Sequence, residues 1–131
     1  MDPAKLVSGA WRSYNARRLK LHGFIGTPTD DGTCTVLVEV VNLGRESMQV
    51  TDAVACRYEG SRSYFFYRRE SLAVAVRLGE LSVEARPPCE VKPNFTVRFR
   101  AMVPVAELEG VTHAGIVTGR RRPMSVPFER G

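Results

Sequence analysis

The residues best suited to chemistry in this sequence are arginines and aromatics, and they cluster. Tyr64-Phe65-Phe66-Tyr67 runs directly into Arg68-Arg69, and Arg120-Arg121-Arg122 forms a second basic run. Aromatic rings beside guanidinium groups can stack on bases while the arginines hold phosphates, as in proteins that grip single strands. Tyr, Phe and Arg are also the side chains that anchor protein interfaces. A core strand would use the same aromatic run differently, with Phe65 and Tyr67 packed inward and the arginines capping the exposed end. Tyr64, Phe66, Arg68, Arg69, Arg120, Arg121 and Arg122 are the candidate binding residues on these grounds.

The other reactive types are scattered. Cys34, Cys56 and Cys89 form no C-x-x-C pair, and three is an odd number for a disulfide framework. Cys34 and Cys56 fall on apolar strand faces, where a thiol is inert, which leaves Cys89 beside Pro87-Pro88 as the exposed candidate. His22 and His113 have no carboxylate or cysteine nearby at a ligand spacing, so no metal site is expected. Asp30-Asp31-Gly32 resembles a fragment of a calcium loop but lacks the remaining oxygen ligands, and it reads as a turn. Gly23, Gly26 and Gly32 have neither the spacing nor the following helix of a phosphate loop. No catalytic residue and no cofactor is expected.

Charge separates the chain into parts. The net charge is +5, yet residues 23–113 hold ten basic and twelve acidic side chains. The excess therefore lies at the ends, in Lys5, Arg12, Arg17, Arg18 and Lys20 and in Arg120, Arg121, Arg122 and Arg130. A basic end suits phosphates, anionic lipid or an acidic protein, or is simply a solvated tail. Arginine outnumbers lysine sixteen to three throughout, so the triplet at 120–122 is not distinctive by residue type. No apolar run reaches the length of a membrane span or signal peptide, and the chain is expected to be cytoplasmic.

The elements that must position these groups are strands. Cys34, Val36, Val38 and Val40 alternate with Thr35, Leu37 and Glu39, and Asn42 to Glu46 supplies turn residues before Met48 and Val50, predicting a hairpin. Val54, Cys56 and Tyr58 share a face, as do Leu72, Val74, Val76 and Leu78, with Leu81, Val83 and Ala85 after a break. The clearest strand runs from Phe95 to Val103, with Phe95, Val97, Phe99, Ala101 and Val103 inward and Thr96, Arg98, Arg100 and Met102 outward. Arg18 to Ile25 reads as the first strand, Val105 to Leu108 as a helical turn, and Thr112 to Val117 as a strand. Met124 to Val126 is a short last strand stopped by Pro127. Residues 1–17 form a basic N-terminal segment with a helix start at Asp2-Pro3, and 18–131 one all-β domain of seven to nine antiparallel strands, a sandwich or barrel.

Three stretches resemble small bacterial immunoglobulin-like β-sandwich proteins. They are Val38 to Val50, with its Asn-x-Gly-Arg turn, Val91 to Phe99, with a proline before a late strand, and Thr118-Gly119-Arg120-Arg121 at the last hairpin. The resemblance spans roughly Arg18 to Phe128. It implies an immunoglobulin-like antiparallel β-sandwich, and such domains serve as adhesion, scaffold, chaperone and enzyme-accessory modules. Some proteins that look like this one carry a membrane helix ahead of a basic segment like Trp11-Arg12-Ser13-Tyr14, and residues 1–10 contain no such helix. The expected function is a non-catalytic protein-binding or scaffold domain, with another protein or a second copy of itself as partner. The alternative is nucleic-acid or anionic-surface binding through the basic ends and the Arg120–Arg122 tip.

Overall fold

A computed structural model describes residues 18–64, 67–119 and 124–131. The strands are β1 (Leu19–Ile25), β2 (Thr33–Asn42), β3 (Met48–Tyr64), β4 (Tyr67–Arg77), β5 (Cys89–Val91), β6 (Thr96–Pro104), β7 (Val111–Thr118) and β8 (Met124–Arg130), with a 3-10 turn at Val105–Leu108. The fold is all-β. The strands lie in the order β4-β3-β7-β8-β1-β2-β6, and β5 pairs with the start of β3. The N-terminal segment, with its expected helix, lies outside the described residues.

The sheet curls around one core. β2 and β6 pair in register, setting Val36 against Ala101, Val38 against Phe99 and Cys34 against Val103. Their partners on the other strands include Leu21 and Ile25 from β1, Ala53 and Ala55 from β3, and Ala114 and Ile116 from β7. Burying each large apolar side chain in this layer is worth about 1.5–3 kcal/mol relative to exposure. Thr96, Arg98, Arg100 and Met102 face solvent on β6, as the period-2 pattern requires.

One strand joins the two halves of the sheet. β8 pairs antiparallel with β7 from Met124 to Pro127, then parallel with β1 from Phe128 to Arg130. Pro127, expected to end the strand, lies inside it. A proline has no N–H for a ladder, and it sits where β8 leaves one partner for the other. At this seam β1 approaches β7 closely. A Cβ added to Gly23 would lie 2.5 Å from the Ala114 Cβ and 2.8 Å from a Phe128 ring carbon.

Several sequence expectations need correction. Residues 42–47 do not close a hairpin, because β2 pairs with β1 and β6 while β3 pairs with β4, β5 and β7. The turn is a crossover, fastened by the buried Asn42 side chain. Its amide donates to the Glu46 and Val91 carbonyls at 2.7 and 2.9 Å and accepts from the Gly44 N–H at 2.9 Å. Phe95 is exposed, since the pleat begins only at Thr96 and Phe95 belongs to the turn whose carbonyl receives the Asn42 N–H. Residues 81–85 form no strand. They run beside β6, with Val83 and Ala85 donating to the Arg100 and Arg98 carbonyls, and Ser82 is the buried residue.

Candidate functional site

The β3–β4 hairpin outgrows the body of the molecule. β3 keeps its pairing with β7 only as far as Arg57, opposite Val111. Beyond that point β3 and β4 pair only with each other, from Tyr58 against Leu72 to Tyr64 against Tyr67. The sequence drives this extension. Residues at 58, 64 and 67 are tyrosines with high β propensity, and β3 continues through Glu59 to Ser63, whose composition reads as a break in the sequence. An isolated two-stranded ribbon is marginally stable in water, so a free one is a surface that gains by being covered.

A register shift at the base of the ribbon decides which side chains it shows. Ala55 pairs with Val76, but its neighbour Cys56 pairs with Val74, so one residue of β4, Ala75, is extra. An extra residue reverses the faces of everything beyond it. Val76 and Leu78 therefore join the core, while Val74 and Leu72 turn to the opposite, outer face. There Val74 is 51% exposed, Leu72 37% and Tyr58 46%. The alternation of Leu72, Val74, Val76 and Leu78 reads as one continuous apolar face, and it is not one.

The outer face continues onto β7. Val54 and Cys56 are buried there, outside the main core cluster, and pack close to Gly115. A Cβ at Gly115 would lie 3.0 Å from Val54 Cγ2 and 3.6 Å from Cys56 Sγ. His113, opposite Cys56, meets Tyr58 edge-on at 5.3 Å between ring centroids. Its Nδ1 lies 2.7 Å from the Thr112 hydroxyl. Tyr58, Leu72, Val74 and His113 thus form one apolar strip along the root of the ribbon.

The strands at the two ends of this order, β4 and β6, differ in how their outer edges are treated. On β6, the Val83 and Ala85 N–H groups occupy the outer carbonyls, and Arg98–Glu39 and Arg100–Glu84 pairs at 2.8 and 3.5 Å add charge. Such devices keep an edge from recruiting another strand. On β4, no strand and no loop hydrogen bond covers the outer edge among the described residues.

Of the sequence candidates, Tyr64, Arg68 and Arg69 lie on the far part of the ribbon, where Arg62 is opposite Arg69 and Ser63 opposite Arg68. The register thus brings Tyr64, Arg68 and Arg69 together at the far end of one ribbon. Phe66, Arg120, Arg121 and Arg122 fall outside the described residues. Sequence reasoning missed Leu72, Val74 and Tyr58 as surface residues, since no residue pattern announces the shift at Ala75.

Other chemistry is sparse. Among the described residues no three His, Cys, Asp or Glu side chains gather closely enough to hold a metal ion. Asp30 and Asp31 form the turn between β1 and β2. The Thr29 hydroxyl donates to the Asp31 carboxylate, with the Thr33 hydroxyl and N–H at 2.8 and 3.3 Å, and these bonds hold its pKa below the ordinary value. A cavity of about 410 Å³ opens between the β1–β2 loop and the 3-10 turn, lined in part by Ile25, Cys34, Val105, Leu108 and Arg130. The Arg130 guanidinium is already engaged with the Val111 carbonyl at 2.6 Å.

All three cysteines are free, and burial pushes the Cys56 and Cys89 thiols up from their ordinary pKa. A raised pKa lowers the thiolate fraction at neutral pH. Native protein treated with a thiol-specific reagent near pH 7 should therefore label slowly, Cys89 first because it is the half-buried one. All three should label quickly in denaturant. Rapid labelling of Cys56 in the folded protein would contradict its place between β4 and β7. No helix among the described residues is long and apolar enough to cross a membrane. No family model, curated protein or solved structure matches the chain.

Proposed function

We propose that this chain is a non-catalytic, immunoglobulin-like β-sandwich domain of the cytoplasm that binds another protein, and that the β3–β4 ribbon is the part that does so. The observation carrying this reading is the ribbon's length beyond β7, with an edge that no described strand covers and an apolar strip at its root. Core strands account for stability elsewhere in the molecule. The ribbon adds little to that core, and its composition of tyrosine, phenylalanine and arginine is that of an interface anchor. The sandwich reading is supported by the single core that the curled sheet encloses and by the exposed outer face of β6.

The test is to cut the ribbon back. Joining Tyr58 to Leu72 through Asn-Gly replaces residues 59–71 with a tight two-residue hairpin. The shortened protein should fold with a thermal midpoint within about 4 °C of the parent, the equivalent of roughly 1 kcal/mol. It should also lose the cross-linked complexes that the intact protein forms in its own cells. Retention of every complex by the folded, shortened protein would refute the ribbon as the binding element. Strong salt-dependent binding of a random oligonucleotide, unchanged by the shortening, would favour the basic ends and a nucleic-acid role instead.

A further inference from the structure

Resting on that reading, we infer that the partner is an extended, acidic peptide segment that adds to the free edge of β4 as a further strand. Three features of the ribbon select this occupant. The first is the backbone. An uncovered edge offers alternating N–H and C=O groups that another peptide backbone can pair with, and a phosphate backbone has no matching ladder. The second is the strip of Tyr58, Leu72 and Val74 on the outer face beside that edge. Alternate apolar side chains of an added strand would land on it, because residues on one face recur every second position.

The third is charge, and it separates a foreign strand from a second copy. Residues 57–72 include four arginines and two glutamates. The register sets Arg62 opposite Arg69 across the ribbon, and like charges at directly opposed positions destabilise a strand pair. Antiparallel pairing of two β4 edges about Ala73 would match Leu72 with Val74 of the second copy. The same register would set position 69 opposite position 77 of the second copy, arginine against arginine. A strand carrying carboxylates brings the opposite charge to these positions, whereas self-pairing in this register does not.

The probe is a synthetic ten-residue peptide alternating glutamate with valine, compared with its lysine–valine counterpart and with a thymidine decanucleotide. The acidic peptide should bind the full-length protein saturably and slow hydrogen exchange of the β4 amides, including Val74 and Val76. The lysine peptide and the oligonucleotide should do neither. Val74→Asp changes a half-exposed residue outside the core, so it should fold normally and weaken the acidic peptide by about tenfold or more. Arg69→Glu should weaken it as well, while strengthening the lysine peptide.

Equal binding of both peptides would overturn the charge argument. Undiminished binding by folded Val74→Asp protein, or binding without protection of β4, would overturn strand addition. Displacement of the peptide by the oligonucleotide would assign the ribbon to nucleic acid. If neither peptide binds but shortening the ribbon still abolishes the cellular complexes, the acidic-strand inference fails and the protein-binding reading stands.

Discussion

Replacing Asn42 with alanine should cost about 3 kcal/mol of stability and lower the thermal midpoint by roughly 10 °C. The side chain is fully buried and makes three hydrogen bonds, two donated and one accepted, all to backbone groups. Alanine leaves the Val91 and Glu46 carbonyls without this donor and the Gly44 N–H without this acceptor. Each buried backbone group so orphaned costs about 1–3 kcal/mol, less where water can reach it. Glu46 is exposed, so its share of the cost is small, while Val91 and Gly44 are buried and bear most of it. The loss is also topological. Asn42 ties the end of β2 to β5 at the point where the chain crosses between sheet halves. Urea denaturation of the variant reads the energy, and hydrogen exchange at Gly44 reads the location. A loss below about 1 kcal/mol would mean that water or a rearranged turn replaces the amide completely.

Gly23→Ala should cost nearly as much, about 2–3 kcal/mol, through overpacking. The new methyl has nowhere to go. It would meet the Ala114 Cβ at 2.5 Å, and neither β carbon can rotate away because each is fixed by its backbone. Phe128 can yield by turning its ring, but β1 and β7 must separate to accommodate Ala114. The seam formed by β8 then opens, since β8 is paired to both strands. The diagnostic is the double variant. Gly23→Ala with Ala114→Gly moves the methyl from one side of the contact to the other and should restore most of the stability. Neighbouring sites that share one space are coupled, and the restoration measures that coupling. Additive losses in the double variant would show that the contact is not what limits residue size at position 23.

The strands that pack one face inward were legible in the sequence. β2 and β6 alternate cleanly because they pair with each other without a register shift and each has one face on the core, and the 3-10 turn at Val105–Leu108 falls where the β6 pattern breaks. What failed did so for local reasons. Asn42 to Ser47 has the composition of a hairpin turn, but the side chain of Asn42 makes its bonds to β5, a partner that sequence distance hides. Pro127 reads as a stop unless one knows that β8 changes partners there. The faces of β4 depend on one unmatched residue, Ala75, whose extra step is a property of the pairing rather than of the residue. The candidate surface was half legible for the same reason. Tyr64, Arg68 and Arg69 announce themselves by type, whereas Leu72 and Val74 look like core until the register is known.

The parallel pairing of β1 with β8 has a consequence for how the molecule comes together. Gly23 and Phe128 are more than a hundred residues apart, so their pairing closes a loop longer than any other strand pairing among the described residues except those of its own ladder. Local hairpins such as β1–β2, β3–β4 and β7–β8 lose far less entropy on forming. During synthesis the early strands therefore emerge and pair before their seam exists. Until β8 arrives, β1 and β7 each present an open flank to solvent, and those nascent flanks, rather than any surface of the finished protein, are where misassembly between chains would begin.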